Sequence, residues 1–294
     1  MYKVPVLGQL APGTVIAGYE IQRTLGRGGM GDVYLARKQG ETRNVALKLL
    51  GAGLSMDTRF RDRFERESHM ATSLEHPNIV PVYATGEVDG VRYIAMRHVD
   101  GPTLRELIEA ESPLAVRRTL ALLDQVASAL DDAHGIGLVH RDVKSPNILI
   151  ARSGASEFRE HAYLTDFGVS KYTSSESGFT RPGQFLGSYH YAAPEQVRGD
   201  PIDGRADVYA FACVLFECLT GRVPFEYDSE AALLWAHMHE EPVPVSSLRS
   251  DLPVGLDSIV ATAMAKSRDD RYATCGEVVS EARVALLAEP VEQK

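Results

Sequence analysis

The sequence predicts an α+β chain of two lobes, in which a small β-rich lobe with one helix precedes a larger, mainly helical lobe. Hydrophobic residues alternate along the first third of the chain, as in half-buried strands, and recur at helical spacing after Gly101. The length of 294 residues is also near the size at which a single core stops growing. The predicted parts are an N-terminal extension (1–18), a first lobe (19–96), a hinge (97–101), a second lobe (102–287) and a C-terminal tail (288–294).

The first lobe is predicted to contain four strands, at about 21–25, 33–35, 45–49 and 93–96. Apolar residues occupy alternate positions in the first three of these segments, and the fourth is a short apolar run. Residues 59–74 break this rhythm, because their apolar side chains recur at helical spacing among charged ones. One helix is therefore predicted within the β-rich lobe.

The second lobe begins with two signals for the start of a helix. Thr103 and Glu106 fit a capping box, and Ser112-Pro113 is a second N-terminal signal. The helices predicted after them are an amphipathic stripe over 120–133 that ends near Gly135, a segment apolar on all sides at 207–219, and two amphipathic segments at 259–264 and 278–287.

Composition and charge exclude several classes of protein. Lys and Arg number 31 against 40 Asp and Glu, and the net charge of −9 argues against a nucleic-acid-binding surface. The three cysteines form no CxxC pattern, and Cys213 and Cys218 fall on one predicted helix, so we expect buried thiols in a reducing compartment. No apolar run reaches the roughly 18–20 residues needed to span a bilayer. We therefore expect a soluble, cytoplasmic chain.

A glycine-rich motif, G-x-G-x-x-G, joins the first two predicted strands at Gly26, Gly28 and Gly31. Dinucleotide-binding folds contain the same motif, but there it opens into a helix, whereas here Val33 and the residues after it continue as a strand. A strand–loop–strand hairpin of this kind can fold over phosphates, because glycine lets backbone N–H groups approach closely. A plain glycine-rich hairpin is the alternative.

Lys48 lies within an apolar strand pattern, where burying an unpaired charge would be costly. The phosphates of ATP or a carboxylate on a helix would compensate for that cost. Glu67, on the predicted helix at 59–74, is the candidate carboxylate. It has several charged neighbours, so it could equally be a solvated surface charge.

The most specific motif is the segment His140-Arg141-Asp142-Val143-Lys144-Ser145-Pro146-Asn147. Asp142 can accept a hydrogen bond from a substrate hydroxyl, Lys144 can neutralise charge on a phosphoryl group, and Asn147 offers an oxygen to Mg²⁺. The triplet Asp166-Phe167-Gly168 follows a predicted hairpin and supplies a second oxygen ligand through Asp166. The first segment alone could be a polar turn, but the downstream triplet argues against that reading.

Motifs of other enzyme classes are absent from the sequence. It contains neither the G-x-x-x-x-G-K-[ST] pattern of a P-loop nor the H-E-x-x-H pattern of a zinc enzyme. His237 and His239 are close in sequence, but without further ligands we expect both to be surface residues.

These motifs occur in order and, together with Ala193-Pro194-Glu195, resemble the eukaryotic-type (Hanks-type) protein Ser/Thr kinase family over about residues 19–287. Segments 27–31 and 194–196 are similar to its bacterial branch, and Lys144 is similar to Ser/Thr rather than tyrosine kinases. The resemblance implies the bilobal protein-kinase fold. It also implies transfer of the γ-phosphoryl group of Mg-ATP to Ser/Thr hydroxyls of proteins, with ATP and Mg²⁺, or alternatively Mn²⁺, as cofactors.

The resemblance also implies roles for individual residues. Lys48 would contact the α/β-phosphates and pair with Glu67, and Asp142 would be the catalytic base, while Asn147 and Asp166 would bind the metal. Met96 would be the gatekeeper and Val99 the hinge residue whose backbone meets adenine, and Glu195 would pair with Arg271. The complete set of implied ATP-binding residues is Leu25, Gly26, Gly28, Gly31, Val33, Ala46, Lys48, Met96, Val99 and Leu149.

Regulation by phosphorylation is a further implication. Arg141, directly before Asp142, marks family members whose activation loop is ordered by a phosphate that arginine can bind. Thr180 is the expected autophosphorylation site, and Ser188 occupies a position where threonine is usual. Hydroxyls at 173–177 are rivals to Thr180, and most of these groups could equally be solvated loop residues.

The expected partners are protein substrates and, by resemblance to bacterial members, a second copy bound through the first lobe. We expect no nucleic-acid partner and no membrane segment in this chain, although related kinases often continue into a membrane anchor and sensor. A nucleotide-binding pseudokinase scaffold is the main alternative function, but Lys48, Asp142 and Asp166 are all retained. A small-molecule phosphotransferase is disfavoured because 187–195 resembles a platform for protein substrates.

Overall fold

A computed structural model describes residues 10–28, 31–50, 74–152, 160–167 and 189–288. These residues divide into two compact units. The first contains 10–28, 31–50, 74–75 and 80–100, and the second contains 76–79, 101–152, 160–167 and 189–288.

The first unit is an antiparallel sheet of six strands with the order β1-β2-β3-β4-β6-β5. The strands are β1 (Val15–Ile16), β2 (Tyr19–Gly28), β3 (Gly31–Lys38), β4 (Asn44–Leu50), β5 (Val82–Val88) and β6 (Val91–Arg97). The four strands predicted from the sequence are therefore confirmed. The prediction missed β1, which has only two residues and lies in the predicted N-terminal extension, and β5, an edge strand with no fully buried residue.

The two faces of this sheet differ because neighbouring residues of a strand point to opposite sides. One face carries the core of the first unit, which includes Ile21, Tyr34, Ala36, Val45, Leu47, Leu49 and Ala95. The register pairs Tyr34 with Leu47 and Leu47 with Ala95, so these side chains stack across three strands. The helix predicted at 59–74 lies outside the described residues, apart from Leu74.

The second unit is mainly helical and contains one hairpin. Its helices are α1 (Leu104–Glu111), α2 (Val116–Gly135), α3 (Pro194–Arg198), α4 (Gly204–Thr220), α5 (Glu230–His239), α6 (Val245–Leu248), α7 (Gly255–Ala263) and α8 (Cys275–Ala288). The hairpin pairs β7 (Ile148–Arg152) with β8 (Glu160–Leu164). Short 3₁₀ turns occupy Ser145–Asn147, Tyr189–Tyr191 and Arg268–Asp270.

Helix α4 is at the centre of the second unit. All its residues from Ala206 to Leu219 are buried, as the all-round apolar pattern predicted. The helix ends at Thr220 and is capped by Gly221, whose φ of 81° lies in the left-handed region that favours glycine. A Cβ at Gly221 would lie 1.8 Å from Ser112 Oγ. The chain at this end of α4 is therefore tightly constrained.

The prediction that a capped helix starts at Thr103 is confirmed, and the prediction that another starts at Ser112-Pro113 is wrong. Thr103 Oγ1 accepts a hydrogen bond from the Glu106 N–H at 3.1 Å, and the Glu106 carboxylate accepts one from the Thr103 N–H at 2.8 Å. Ser112 instead caps the C-terminus of α1, and α2 begins at Val116. The reason is tertiary, because Leu114 donates its N–H to the Cys218 carbonyl of α4 at 3.0 Å.

The prediction that His237 lies at the surface is also wrong. Its side chain is fully buried, with Nδ1 2.9 Å from the Tyr209 hydroxyl and the ring 5.0 Å from that of Phe225. The partners come from α4 and the loop after it, which the sequence could not place beside α5. The thiols of Cys213, Cys218 and Cys275 are buried and free, and burial raises the pKa of each.

Within the described residues, no helix combines the length and the apolar composition that crossing a bilayer requires.

Candidate active site

Four of the predicted nucleotide-binding residues share one face of the sheet in the first unit. Val33 pairs with Lys48 across β3 and β4, and Ala46 pairs with Met96 across β4 and β6. Directly paired residues, and residues two apart on a strand, point to the same side, so all four lie opposite the hydrophobic core. Lys48 is 5% exposed and lies between Val33 and Ile94. This face therefore presents a buried cation flanked by small and apolar side chains.

The glycine-rich hairpin borders the same face. Gly26 pairs with Val33 and Gly28 with Gly31, so the motif joins two strands, as predicted, rather than a strand and a helix. Gly31 has a φ of 146°, and a Cβ there would lie 1.9 Å from the Leu49 carbonyl oxygen. Only glycine fits so close to β4. Leu25, on the same hairpin, is 36% exposed.

Two further predicted nucleotide-binding residues, Val99 and Leu149, do not belong to the strands that form this face. Val99 is buried and follows β6 in the first unit, whereas Leu149 lies on β7 of the second unit, where it pairs with Tyr163. Glu67, Thr180 and Ser188 lie outside the described residues.

In the second unit, two residues of the His140–Asn147 segment, Lys144 and Asn147, converge on the carboxylate of Asp142. Lys144 Nζ lies 2.8 Å from Asp142 Oδ2. Asn147 Nδ2 donates to the Asp142 carbonyl at 2.8 Å and to Asp142 Oδ2 at 3.2 Å. Asp142 is 5% exposed. A carboxylate, an ammonium and an amide are thus held together by a turn of six residues.

Asp207 of α4 fixes the backbone on the N-terminal side of this cluster. Its two carboxylate oxygens accept from the N–H groups of His140 and Arg141, each at 2.7 Å, and Oδ2 is also 2.8 Å from His134 Nε2. Arg141 has a φ of 66°, which is uncommon for a residue with a Cβ. Gln196 Nε2 donates to the Arg141 carbonyl at 2.9 Å. These bonds stabilise a strained backbone next to Asp142.

His140 links the same segment to the Asp166 region. Its Nε2 lies 2.9 Å from the Thr165 carbonyl, and its ring packs 4.6 Å from the ring of Phe167. Burial lowers the pKa of His140, which favours a neutral imidazole that donates to that carbonyl. Asp166 has a φ of 67° and is partly exposed, while Phe167 is buried as the predicted apolar anchor.

The donor atoms of Asn147 and Asp166 are of the kind that a divalent metal prefers. The Asn147 amide nitrogen is used by Asp142, so the amide oxygen is the atom that Asn147 could offer to an ion, and Asp166 could offer its carboxylate. Two oxygen ligands suit Mg²⁺, which keeps several waters and takes the rest of its ligands from substrate phosphates. In the part of the chain that the structure describes, no three His, Cys, Asp or Glu residues could hold a metal by themselves.

The expected pair between Glu195 and Arg271 is confirmed. The guanidinium donates to both carboxylate oxygens, at 2.7 and 2.8 Å, and both side chains are buried. Arg271 also donates to the carbonyls of Ala265 and Arg205, at 2.7 and 2.9 Å. The bidentate pair thus joins α3 to α4 and to the segment before α8.

Asp207 and Gln196, which bond the backbone beside Asp142, were not predicted as supports of this site. The role of Asp207 could have been predicted from the sequence, because a charged residue at the edge of an all-apolar helix must have polar partners if it is buried. Gln196 has no comparable signal, since it is a polar residue on a short helix.

Comparison with known proteins identifies clear relatives. The protein kinase domain family model matches residues 19–279. Serine/threonine-protein kinase PknE of Mycobacterium bovis is 42% identical over 274 residues, which are 93% of this chain and 47% of that protein. PknJ of the same species is 42% identical over 280 residues, which are 95% of this chain and 47% of that protein. The chain therefore spans about half the length of the curated relatives it matches.

Among solved structures, the kinase domain of PknI from Mycobacterium tuberculosis is similar. It is 34% identical, with a TM-score of 0.75, and the match covers 94% of this chain and 99% of that one.

Proposed function

The chain belongs to the protein kinase domain family, with the β-rich first lobe and helical second lobe of that fold, and from this membership we propose that it transfers the γ-phosphoryl group of ATP to Ser or Thr hydroxyls of proteins. The observation that carries the proposal is the convergence of Lys144 and Asn147 on Asp142. Phosphoryl transfer needs positioning and charge stabilisation more than covalent chemistry, and this cluster provides both.

Asp142 is the group that orients the attacking hydroxyl and accepts its proton. Lys144 lies close enough to Asp142 to orient its carboxylate and to place positive charge beside the transferred phosphoryl group. A buried position with fixed partners keeps the carboxylate in one orientation, which lowers the cost of reaching the reactive geometry.

Asn147 and Asp166 are the proposed metal ligands. Bound Mg²⁺ would neutralise charge on the phosphates of ATP, and Mn²⁺ has similar ligand preferences. The hydrogen bonds from the Asn147 amide nitrogen to Asp142 orient its oxygen for this role. Because Asn147 is held against Asp142, a metal bound by Asn147 would be positioned relative to the proposed base.

The shared sheet face of the first unit is the proposed nucleotide surface. Lys48 would bind the α/β-phosphates and pair with Glu67, and the glycines of the hairpin would admit phosphates to the backbone. The proposed adenine contacts are the apolar and backbone groups of Leu25, Val33, Ala46, Met96, Val99 and Leu149.

Regulation, assembly and location form the rest of the proposal. Arg141 would bind a phosphate on the loop that contains Thr180, with Ser188 as a further regulatory hydroxyl. Two copies would pair through the first lobe, the predicted domain boundaries would mark the catalytic lobes, and the chain would act in the cytoplasm.

Incubation of the purified chain with Mg-ATP and a generic protein substrate, followed by phosphosite mapping, tests the function. Wild type should add phosphate to the substrate and to its own 173–188 segment, and Asp142→Asn should lose nearly all of both labels. Equal labelling by wild type and Asp142→Asn would refute the proposed kinase activity. Nucleotide binding without any transfer would support a pseudokinase scaffold instead, which the retention of Lys48, Asp142 and Asp166 disfavours.

A further inference from the structure

Ser145 follows Lys144 directly and begins the 3₁₀ turn Ser145–Asn147. Its hydroxyl is fully buried, 3.1 Å from Glu217 Oε1 and 3.1 Å from the Tyr191 hydroxyl oxygen. A buried hydroxyl in a catalytic turn must have partners, and here both come from outside the turn. The turn is therefore attached to the body of the second unit by a side chain with no part in the proposed chemistry.

Glu217 is the acceptor of this attachment. It lies on α4 and is 1% exposed, and its carboxylate accepts from Ser145, from the Tyr191 hydroxyl at 2.8 Å and from Arg105 Nη1 at 3.4 Å. Burial raises the pKa of Glu217, while the two hydroxyls and the charges of Arg105 and His190 lower it. A buried carboxylate that loses a hydrogen-bond donor cannot replace it with water, so the loss costs free energy. The hydrogen bonds to Glu217 should therefore hold their donors firmly in place.

Ser145 lies between two residues that contact Asp142. Within the turn, Asn147 donates its N–H to the Lys144 carbonyl at 2.9 Å, and Ile148 donates its N–H to the Ser145 carbonyl. The side chains of Lys144 and Asn147 both reach the Asp142 carboxylate. A shift of Ser145 would therefore displace the ammonium and the amide together.

We propose that Ser145 is a positioning residue for phosphoryl transfer, whose hydroxyl bond to the Glu217 carboxylate fixes the turn that carries Lys144 and Asn147 against Asp142. The inference rests on the proposed kinase activity. Both described partners of the Ser145 hydroxyl, Glu217 and Tyr191, belong to the second unit, so the effect of Ser145 on catalysis passes through the turn. Loss of the Ser145 hydroxyl should therefore change kcat and the dependence on Mg²⁺ more than the affinity for ATP.

Steady-state kinetics test the catalytic part. In Ser145→Ala, kcat should fall about 5–10-fold and the Mg²⁺ concentration for half-maximal activity should rise about threefold, with KM for ATP changed less than about twofold. Ser258→Ala is the matched control, because its exposed hydroxyl bonds only the Gly255 carbonyl of α7. In a Glu217→Gln background, the Ser145→Ala effect on kcat should shrink below about twofold, because the charged acceptor is already absent.

Hydrogen–deuterium exchange tests the attachment without any need for activity. The amides of Asn147 and Ile148 should exchange about tenfold faster in Ser145→Ala than in wild type or Ser258→Ala. If the wild type has no kinase activity but exchange is still faster in Ser145→Ala, the kinase proposal is refuted and the attachment of the turn to Glu217 is supported. An active wild type would overturn the Ser145 proposal if kcat and Mg²⁺ dependence are unchanged in Ser145→Ala, if exchange is unchanged, or if the loss of kcat is the same in the Glu217→Gln background.

Discussion

Lys144 Nζ lies 2.8 Å from Asp142 Oδ2, so the proposed base is paired with a cation within its own turn. The same carboxylate oxygen accepts from Asn147 Nδ2 at 3.2 Å. Only 5% of Asp142 is exposed, and bulk water screens these contacts little. The carboxylate is therefore fixed in orientation by its neighbours, which is the property that a base for a substrate hydroxyl needs.

Asp142→Asn should abolish most of the transfer while leaving the fold intact. The amide has nearly the same shape but neither the charge nor the basicity of the carboxylate, and we expect kcat to fall about 10²–10⁴-fold. Phosphate incorporation into a protein substrate measures the loss, and thermal unfolding checks the fold. Asp251→Asn is the control, because Asp251 is an exposed partner of Arg249 and its replacement should leave kcat within about twofold. A similar loss in both variants would contradict the role of Asp142.

Asp207→Asn should destabilise the second unit and impair catalysis together. The carboxylate accepts from two backbone N–H groups and lies 2.8 Å from His134, whereas an amide has one acceptor oxygen and would turn N–H groups toward the remaining donors. We expect a loss of about 2–4 kcal/mol in the free energy of unfolding. In urea denaturation, Asp203→Asn should change it by less than about 0.5 kcal/mol, because Asp203 is an exposed N-cap and asparagine caps equally well. Equal effects of the two substitutions would refute this account.

Arg271→Ala should be among the most destabilising single changes. It leaves the buried Glu195 carboxylate without its bidentate partner, and the expected loss is about 3–5 kcal/mol in the free energy of unfolding. Arg283→Ala breaks a pair of similar length, 3.0 Å to Asp124, but both side chains are 49% exposed. That control should cost less than about 1 kcal/mol. Denaturant unfolding of both variants decides the prediction, which fails if the two losses are alike.

Lys266→Met should stabilise the protein near pH 7, and the gain should fade at high pH. Lys266 Nζ is buried, lies 5.0 Å from the centre of the Phe225 ring, and has no hydrogen-bond partner among the described residues. Burial lowers its pKa from 10.5 to about 8, so below pH 8 the folded state bears the full cost of the charge. Between these two values the folded state loses its proton first, and the cost declines as the pH rises. Part of the side chain reaches solvent, so we expect a gain of about 1–2 kcal/mol.

Thermal and urea unfolding at pH 7, 8, 9 and 10 measure the effect of Lys266→Met. Lys38→Met is the control, since Lys38 is exposed and pairs only with Glu41 at the surface. Its effect should stay within about 0.5 kcal/mol at every pH. A stabilisation by Lys266→Met that did not decline with pH would show that apolar packing, rather than the buried charge, is responsible.

Much of the proposed site could be predicted because its chemistry is local in sequence. Asp142, Lys144 and Asn147 lie within six residues, and their hydrogen bonds close within one turn. Lys48 was recognisable because a charge within an apolar strand pattern needs a partner. Ser145 was not recognised, because a serine in a polar segment looks solvated until Glu217 is placed beside it.

The sequence by itself determined four of the six strands described in the first unit, the long helices α2 and α4 of the second and the order of the motifs, because hydrophobic periodicity and short-range turns depend on neighbours along the chain. Tertiary structure alone decided that Ser112-Pro113 ends one helix rather than starting the next, and that His237 is buried. It also decided that Asp207 and Glu217 of α4 bond the His140–Asn147 segment, since the partners of these two residues are more than 60 residues away. Contacts at such separations leave no periodic trace in a sequence.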